Sequence, residues 1–259
     1  MILRCAAALL ALALTSCSRP GAEAAPLRIA AAASLRVVVE EIGRAFAQSP
    51  SGAEVTVNAA ASGVLRRQIE HGDAADVFIS ANREHMDALL TRGRVASETV
   101  HVLARNRLVV AAPAGRHVPM ESLRGLSHPP FARIALATPA TAPVGELAVA
   151  ALQSAGVWSS VESRVLYAEN AGQIAAYLRT GEVDAALLYV TDVIGLGDAV
   201  DRLCEVDPAL HPPSEYLIGV VADSRLRVRA EAFVEFACGP EAADVLAQAG
   251  FVVDETGSR

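Results

Sequence analysis

Lysine does not occur in this 259-residue chain. All 22 basic residues are arginines, set against 29 acidic residues for a formal charge of −7. That balance lacks the basic surface with which a general nucleic-acid binder displaces phosphate counterions, and it draws no anion from a distance. Metal-ligand patterns are missing too. The six histidines, at positions 71, 85, 101, 117, 128 and 211, are scattered with no pair at helical ligand spacing, and no Cys/His spacing resembles a metal site. There is no G-x-S-x-G elbow, no phosphate-cradling loop and no G-x-G-x-x-G. Beyond the N-terminus no run is long and apolar enough to be transmembrane, and no sequence repeat is visible. What is present is a 53% hydrophobic composition, too apolar for a disordered chain. The length suits one large domain or two lobes.

The N-terminus reads as an address. Arg4 precedes a short apolar run at 5–14, too short to span a bilayer and proportioned like a signal-peptide core. Leu14-Thr15-Ser16-Cys17 resembles a bacterial lipobox, in which residues 1–17 form a lipoprotein signal and Cys17 becomes the lipidated N-terminus. An ordinary secretory signal cut later, near Ala25, is the other reading. The apolar run abutting Cys17 favours the first. Residues 18–26 are small, polar and Pro/Gly-bearing, as a tether should be. Either way the mature protein is expected in the periplasm or at the cell surface. With Cys5 and Cys17 in the leader, only Cys204 and Cys238 belong to the body, as a disulfide or as two buried thiols.

The body alternates strand and helix. Residues 27–33 read as a buried strand, and 35–48 place Leu35, Val38, Val39, Ile42 and Phe46 on one helical face. A strand at 54–58, a helix at 63–71, a strand at 76–79 and a helix at 83–91 complete a β-α-β-α-β-α series. A new strand at 107–112 ends at Pro113. Strands at 133–137, 164–166 and 184–188 then alternate with helices at 146–154 and 171–179. A strand at 216–221 and helices at 227–237 and 240–249 finish the chain. The expected class is α/β, with mostly parallel sheets flanked by helices.

Ligands of open α/β sheets bind beyond the carboxyl ends of the strands, and four turns there open a helix with small residues. They are 31–35 (AAASL), 60–63 (AASG), 143–145 (PVG) and 169–172 (ENAG). Such starts offer unpaired N–H groups and a partial positive charge, which suit an anion. Ser34 and Ser62 add hydroxyl donors. Each serine read alone is a plain helix cap, worth about 1 kcal/mol and binding nothing. Tyr189 reads either as a proton donor or as a core tyrosine with a bonded hydroxyl. Lacking a local His or Lys partner for it, catalysis is the weaker reading.

These residues carry a resemblance. AAASL, ASGVLRRQIEHGDAADVFISAN, NRLVV, the Pro-x-Gly turn and LLYVTD are similar, in that order from about Leu27 to Phe251, to the molybdate-binding proteins of bacterial ABC importers. The resemblance implies a type II periplasmic-binding fold, two α/β lobes closing on one tetrahedral oxyanion. Lobe 1 would comprise 27–108 and 215–259, and lobe 2 109–214. It implies molybdate, with tungstate nearly indistinguishable, held by hydroxyl and backbone donors of Ser34 and Ser62, by N–H groups of Val144 and Ala171, and by the phenol of Tyr189. It implies no cofactor, no bare metal cation, no catalysis, and a monomer that docks on a membrane permease. Val144 departs from the family's usual alanine, and Ala171 stands where a larger aliphatic residue is common. A receptor for another anion, a sensor or adhesin of the same fold, and an extracytoplasmic hydrolase are the alternatives.

Overall fold

The computed structural model describes residues 25–253, apart from His117 and Thr141, as two lobes that each pack helices against a five-stranded sheet. The leader with Cys17, and the tether as far as residue 24, lie outside the described residues. No helix among the described residues is long and apolar enough to cross a membrane.

The first sheet starts with β1 (Leu27–Ala32), which passes through a 3₁₀ turn at Ala33–Leu35 into α1 (Arg36–Ala47). β2 (Val55–Ala60), α2 (Ser62–Glu70), β3 (Val77–Ser80), α3 (Arg83–Thr91) and β4 (His101–Asn106) follow. The chain then crosses to the second sheet. There β5 (Leu108–Pro113), β6 (Ile134–Ala137), α4 (Pro143–Ser154), α5 (Trp158–Val161), β7 (Val165–Ala168), α6 (Ala171–Thr180), β8 (Ala185–Tyr189), α7 (Val190–Leu196) and β9 (Val200–Glu205) form the lobe. β10 (Ser214–Val220) returns to the first sheet, and α8 (Arg227–Ala237) and α9 (Pro240–Gln248) cover it. The strand orders are β2-β1-β3-β10-β4 and β7-β6-β8-β5-β9. Each order is mixed rather than wholly parallel, because β10 runs antiparallel to β3 and β4, and β5 to β8 and β9.

Local chemistry accounts for most of these elements. β1 is apolar almost throughout because helices cover both faces of its sheet. On α1 the stripe of Val38, Val39, Ile42 and Phe46 is buried, and Phe46 meets Phe233 of α8 edge-on at 5.3 Å, the arrangement that aromatic quadrupoles favour. α6 ends at Gly181 in the left-handed region, φ 69°, where a side chain would be strained. β4, α7 and β9 are not legible from sequence pattern. β4 and β9 are edge strands of mixed polarity, stabilised by pairing on one side rather than by a continuous apolar run.

A structural repeat relates the lobes although the sequence has none. In each, a helix is followed by an aspartate just before a central strand. The Asp76 N–H donates to Arg28 O, and its carboxylate accepts from Arg28 N–H, both at 2.8 Å. Asp184 does the same with Arg133, also at 2.8 Å, and further accepts from Ala132 N–H and from Arg116. Each aspartate thus fixes the incoming strand against its parallel neighbour.

Cys204 and Cys238 do not pair. Both are free thiols, one on β9 against the second lobe's core and the other at the end of α8 against the first lobe's, so no short path joins them. Burial raises both, and the Cys238 thiol is pushed up to about 11. Without reductant, both should alkylate fully once the protein is denatured, while native Cys238 should react slowly at neutral pH. A linked Cys204–Cys238 peptide in a non-reduced digest would contradict this. Burial opposes ionisation of Asp184, but hydrogen bonds from Arg133, Arg116 and Ala132 hold its carboxyl below the usual range. The stability it supplies is therefore complete above the ordinary carboxylate pKa and is lost as pH falls through the depressed value. Asp184→Asn should lower Tm by several degrees at neutral pH, with the two proteins converging on acidification from about pH 5 to 2. A constant offset at every pH would contradict the assignment.

Candidate functional site

The register of the sheets decides which edges meet. β1, β2 and β3 run parallel, as do β6, β7 and β8. β4 is parallel to β3 through their common antiparallel neighbour β10, so Asn106 ends at the carboxyl edge of the first sheet, opposite Ser214. β5 starts at Leu108, opposite Tyr189 at the end of β8. Both crossings, 106–108 and 205–214, therefore leave from carboxyl edges, the same edges beyond which the helix starts of each lobe lie.

On the first lobe, Ala32 and Ala60 are register partners, so Ser34 and Ser62 each lie two residues beyond paired strand ends. Neither serine is a helix cap. The cap positions are Ala32 and Ala61, which make no side-chain bond. The N–H groups of Val64 and Leu65 turn back to Ala61 O at 2.8 and 3.1 Å, so those of Ser62 and Gly63 have no partner within the helix. The buried Ser62 hydroxyl accepts from Ala81 N–H at 3.0 Å, which leaves its own proton to donate. Ser34 is exposed.

On the second lobe, α4 begins with Pro143, which has no N–H, and Gly145 and Glu146 bond back to Ala142 O at 2.9 and 3.3 Å. Val144 N–H is thus the first free donor of that helix. Its branched side chain is buried in the second lobe's apolar core, so the exchange of alanine for valine is absorbed by packing. α6 begins at Ala171. The Asn170 side chain caps Gln173 N–H at 3.0 Å and leaves those of Ala171 and Gly172 without an intrahelical partner.

Tyr189 closes β8, opposite Leu108 at the start of β5. Burial pushes its pKa well up, and the nearby Tyr216, Asp192 and Glu146 add to this against the Ser214 bond. The phenol stays neutral and protonated, a hydrogen-bond donor. Burial likewise raises the Asp192 carboxyl, which accepts from Tyr189 N–H. Cations beside the crossings are occupied. Arg83 and Arg105 grip Glu215 at 2.6 and 3.1 Å, and Arg107 meets Glu205 at 3.1 Å. Among the described residues no group of three His, Cys, Asp or Glu is placed to hold a metal ion.

Between the lobes the Asn106 amide donates to Thr191 Oγ1 of α7 at 2.9 Å and to Tyr216 Oη of β10 at 3.4 Å. Sequence reasoning missed Tyr216, Ser214, Asn106 and Thr191. A buried tyrosine requires a hydroxyl partner, but only the fold says which one. Gly145 is fixed by space, since a Cβ there would lie 2.1 Å from Ala137 O. Gly145→Ala should push the start of α4 off β6 and cost about 3 kcal/mol by urea unfolding. An unchanged midpoint would show that the helix start is not seated as described.

Comparison with known proteins agrees with this architecture. The family model described as bacterial extracellular solute-binding protein matches residues 27–252. YvgL of Bacillus subtilis, whose name describes an ABC transporter substrate-binding lipoprotein, is 30% identical over 228 residues, 88% of this chain and 86% of its own. The molybdate-binding protein ModA of Escherichia coli is 28% identical over 236 residues, 90% of this chain and 91% of its own. A solved chain from Clostridium difficile, described as the substrate-binding domain of a molybdenum ABC transporter, superposes with a TM-score of 0.83 at 26% identity, covering 89% of this chain and 99% of that one. With its two five-stranded lobes and the match across 27–252, the chain belongs to the bacterial extracellular solute-binding protein family.

Proposed function

We propose that this protein is the receptor of an ABC importer, capturing molybdate, and tungstate equally well, between its lobes and delivering it to a membrane permease. The observation that supports the reading is a set of helix starts whose first N–H groups lack an intrahelical partner: Ser62–Gly63 in one lobe, Val144 and Ala171–Gly172 in the other. In this reading they face one another across the cleft, together with the neutral hydroxyls of Ser34, Ser62 and Tyr189. A dianion leaving water must recover its hydration from such charge-assisted hydrogen bonds. Neutral donors on rigid helix ends do so while leaving the empty site stable and the capture reversible. The names of the ModA relatives supply the choice of anion.

In this reading 27–108 with 215–259 form one half of the clamp and 109–214 the other. Closure is a hinge at the two crossings. Cys17 carries a lipid anchor, and the protein acts as a monomer without cofactor or turnover. Sulfate is too small to reach every donor at hydrogen-bond distance.

Isothermal titration should give one site for molybdate and tungstate with sulfate and phosphate excluded; binding of sulfate or phosphate alone would overturn the assignment of the anion. Ser62→Ala should weaken molybdate binding by about 1–3 kcal/mol, the cost of an unmet charge-assisted bond, and unchanged affinity would remove Ser62 from the site. Phosphate and acyl esters should not turn over.

A further inference from the structure

The short helix α7 belongs to the second lobe, where it packs on β5, β8 and β9. Three of its residues nevertheless reach out of that lobe. Val190 N–H donates to Arg107 O on the crossing at 2.9 Å. Thr191 Oγ1 accepts from the Asn106 amide, at the end of β4, also at 2.9 Å. Val190 and Ile194 lie against Gly250, just past α9 of the first lobe. A Cβ on Gly250 would sit 2.4 Å from Ile194 Cδ1 and 3.3 Å from Val190 Cγ1. Gly250 ends α9 with φ at 92°. Its N–H returns to Ala247 O, and that of Phe251 to Leu246 O, as in a Schellman cap. The cap accounts for the backbone angle but not for the helix of the other lobe resting on it. The seat is firm. Phe251 meets the buried Tyr216 edge-on at 5.2 Å, and Val252 exchanges backbone bonds with Arg105 of β4 at 2.7 and 2.8 Å. Ile194, in contrast, keeps half of its surface exposed and is packed into neither lobe's apolar core among the described residues. Its contact is with the opposite lobe.

We propose that Gly250 and Ile194 are positioning residues of the anion site, forming the bearing on which α7 sets the angle between the lobes. The inference rests on the proposed binding function and adds to it two residues outside the donor set. The link to the site is direct, because α7 starts on Tyr189. Where α7 sits on Gly250 therefore sets where Tyr189, and with it the second lobe, stands relative to Ser34 and Ser62. Hydrogen bonds hold only within about 2.7–3.2 Å, so a small shift at the bearing is felt by donors of both lobes.

The test is a double-mutant cycle by isothermal titration with molybdate. Gly250→Ala should raise Kd about tenfold, because the new methyl displaces Ile194. In an Ile194→Ala background, where the obstructing atoms are gone, the same change should alter Kd less than about threefold. An equal loss in both backgrounds would reduce Gly250 to a helix cap, and no loss in the wild type would also overturn the bearing. If Gly250→Ala does not fold, Ile194→Ala alone decides. It should raise Kd at least threefold with little change in Tm, and unchanged affinity would overturn the proposal. A protein that bound no oxyanion would sink the proposed function instead. The bearing is then read by small-angle scattering: a change in the radius of gyration in Gly250→Ala that Ile194→Ala abolishes supports it, and an unchanged profile overturns it.

Discussion

Helix N-termini can oppose one another across a cleft only if both sheets present their carboxyl edges to the same space. In this molecule the crossings at 106–108 and 205–214 impose that condition. The antiparallel strands β10 and β5 are its means. Each carries the chain between the lobes and pairs inside a sheet whose other central strands are parallel. Had either crossing left from an amino edge, the serines and the second-lobe amides would face away from each other, whatever their chemistry.

Electrostatics follows from this placement. The acidic balance of the chain and its lack of lysine are a poor start for attracting anions through solvent. Inside a closed cleft, however, fixed dipoles act over a few ångströms, while net charge is screened beyond a Debye length of about 8 Å at physiological salt. The arginines beside the crossings are held by Glu215 and Glu205. Burial opposes the charge on Glu215, but the two guanidiniums keep its carboxyl below the usual range. These cations are thereby paired with carboxylates beside the crossings.

Much of the first lobe was legible because its signals are local. The stripe of α1, the run of small residues after β1 and the Asn82 start of α3 each depend on a few neighbouring residues. The serines were visible as candidate hydroxyl donors, with a plain helix cap as the other reading of each. A Ser before a helix reads as a cap, and only the bond from Ala81 N–H shows that the Ser62 hydroxyl keeps its own proton to donate. α4 starts three residues earlier than its apolar pattern, since Pro143 opens it and Gly145 must fit under Ala137 O. The possible pairing of Cys204 with Cys238 failed for the same reason in reverse: sequence supplies the count of thiols but not the lobe each one occupies.

Composition and periodicity by themselves determined an α/β chain with small-residue helix starts after its strands. Those properties arise from side-chain polarity and backbone freedom within a few residues. The tertiary structure decided which starts share a cleft and that the lobes repeat the Asp76 and Asp184 device. It also decided that the buried Asn106 amide on one crossing meets Tyr216 in its own lobe and Thr191 in the other. Each of these depends on strand order and register between residues as far apart in the chain as Val77 and Val220, where pairing across the sheet, not local preference, sets the partners.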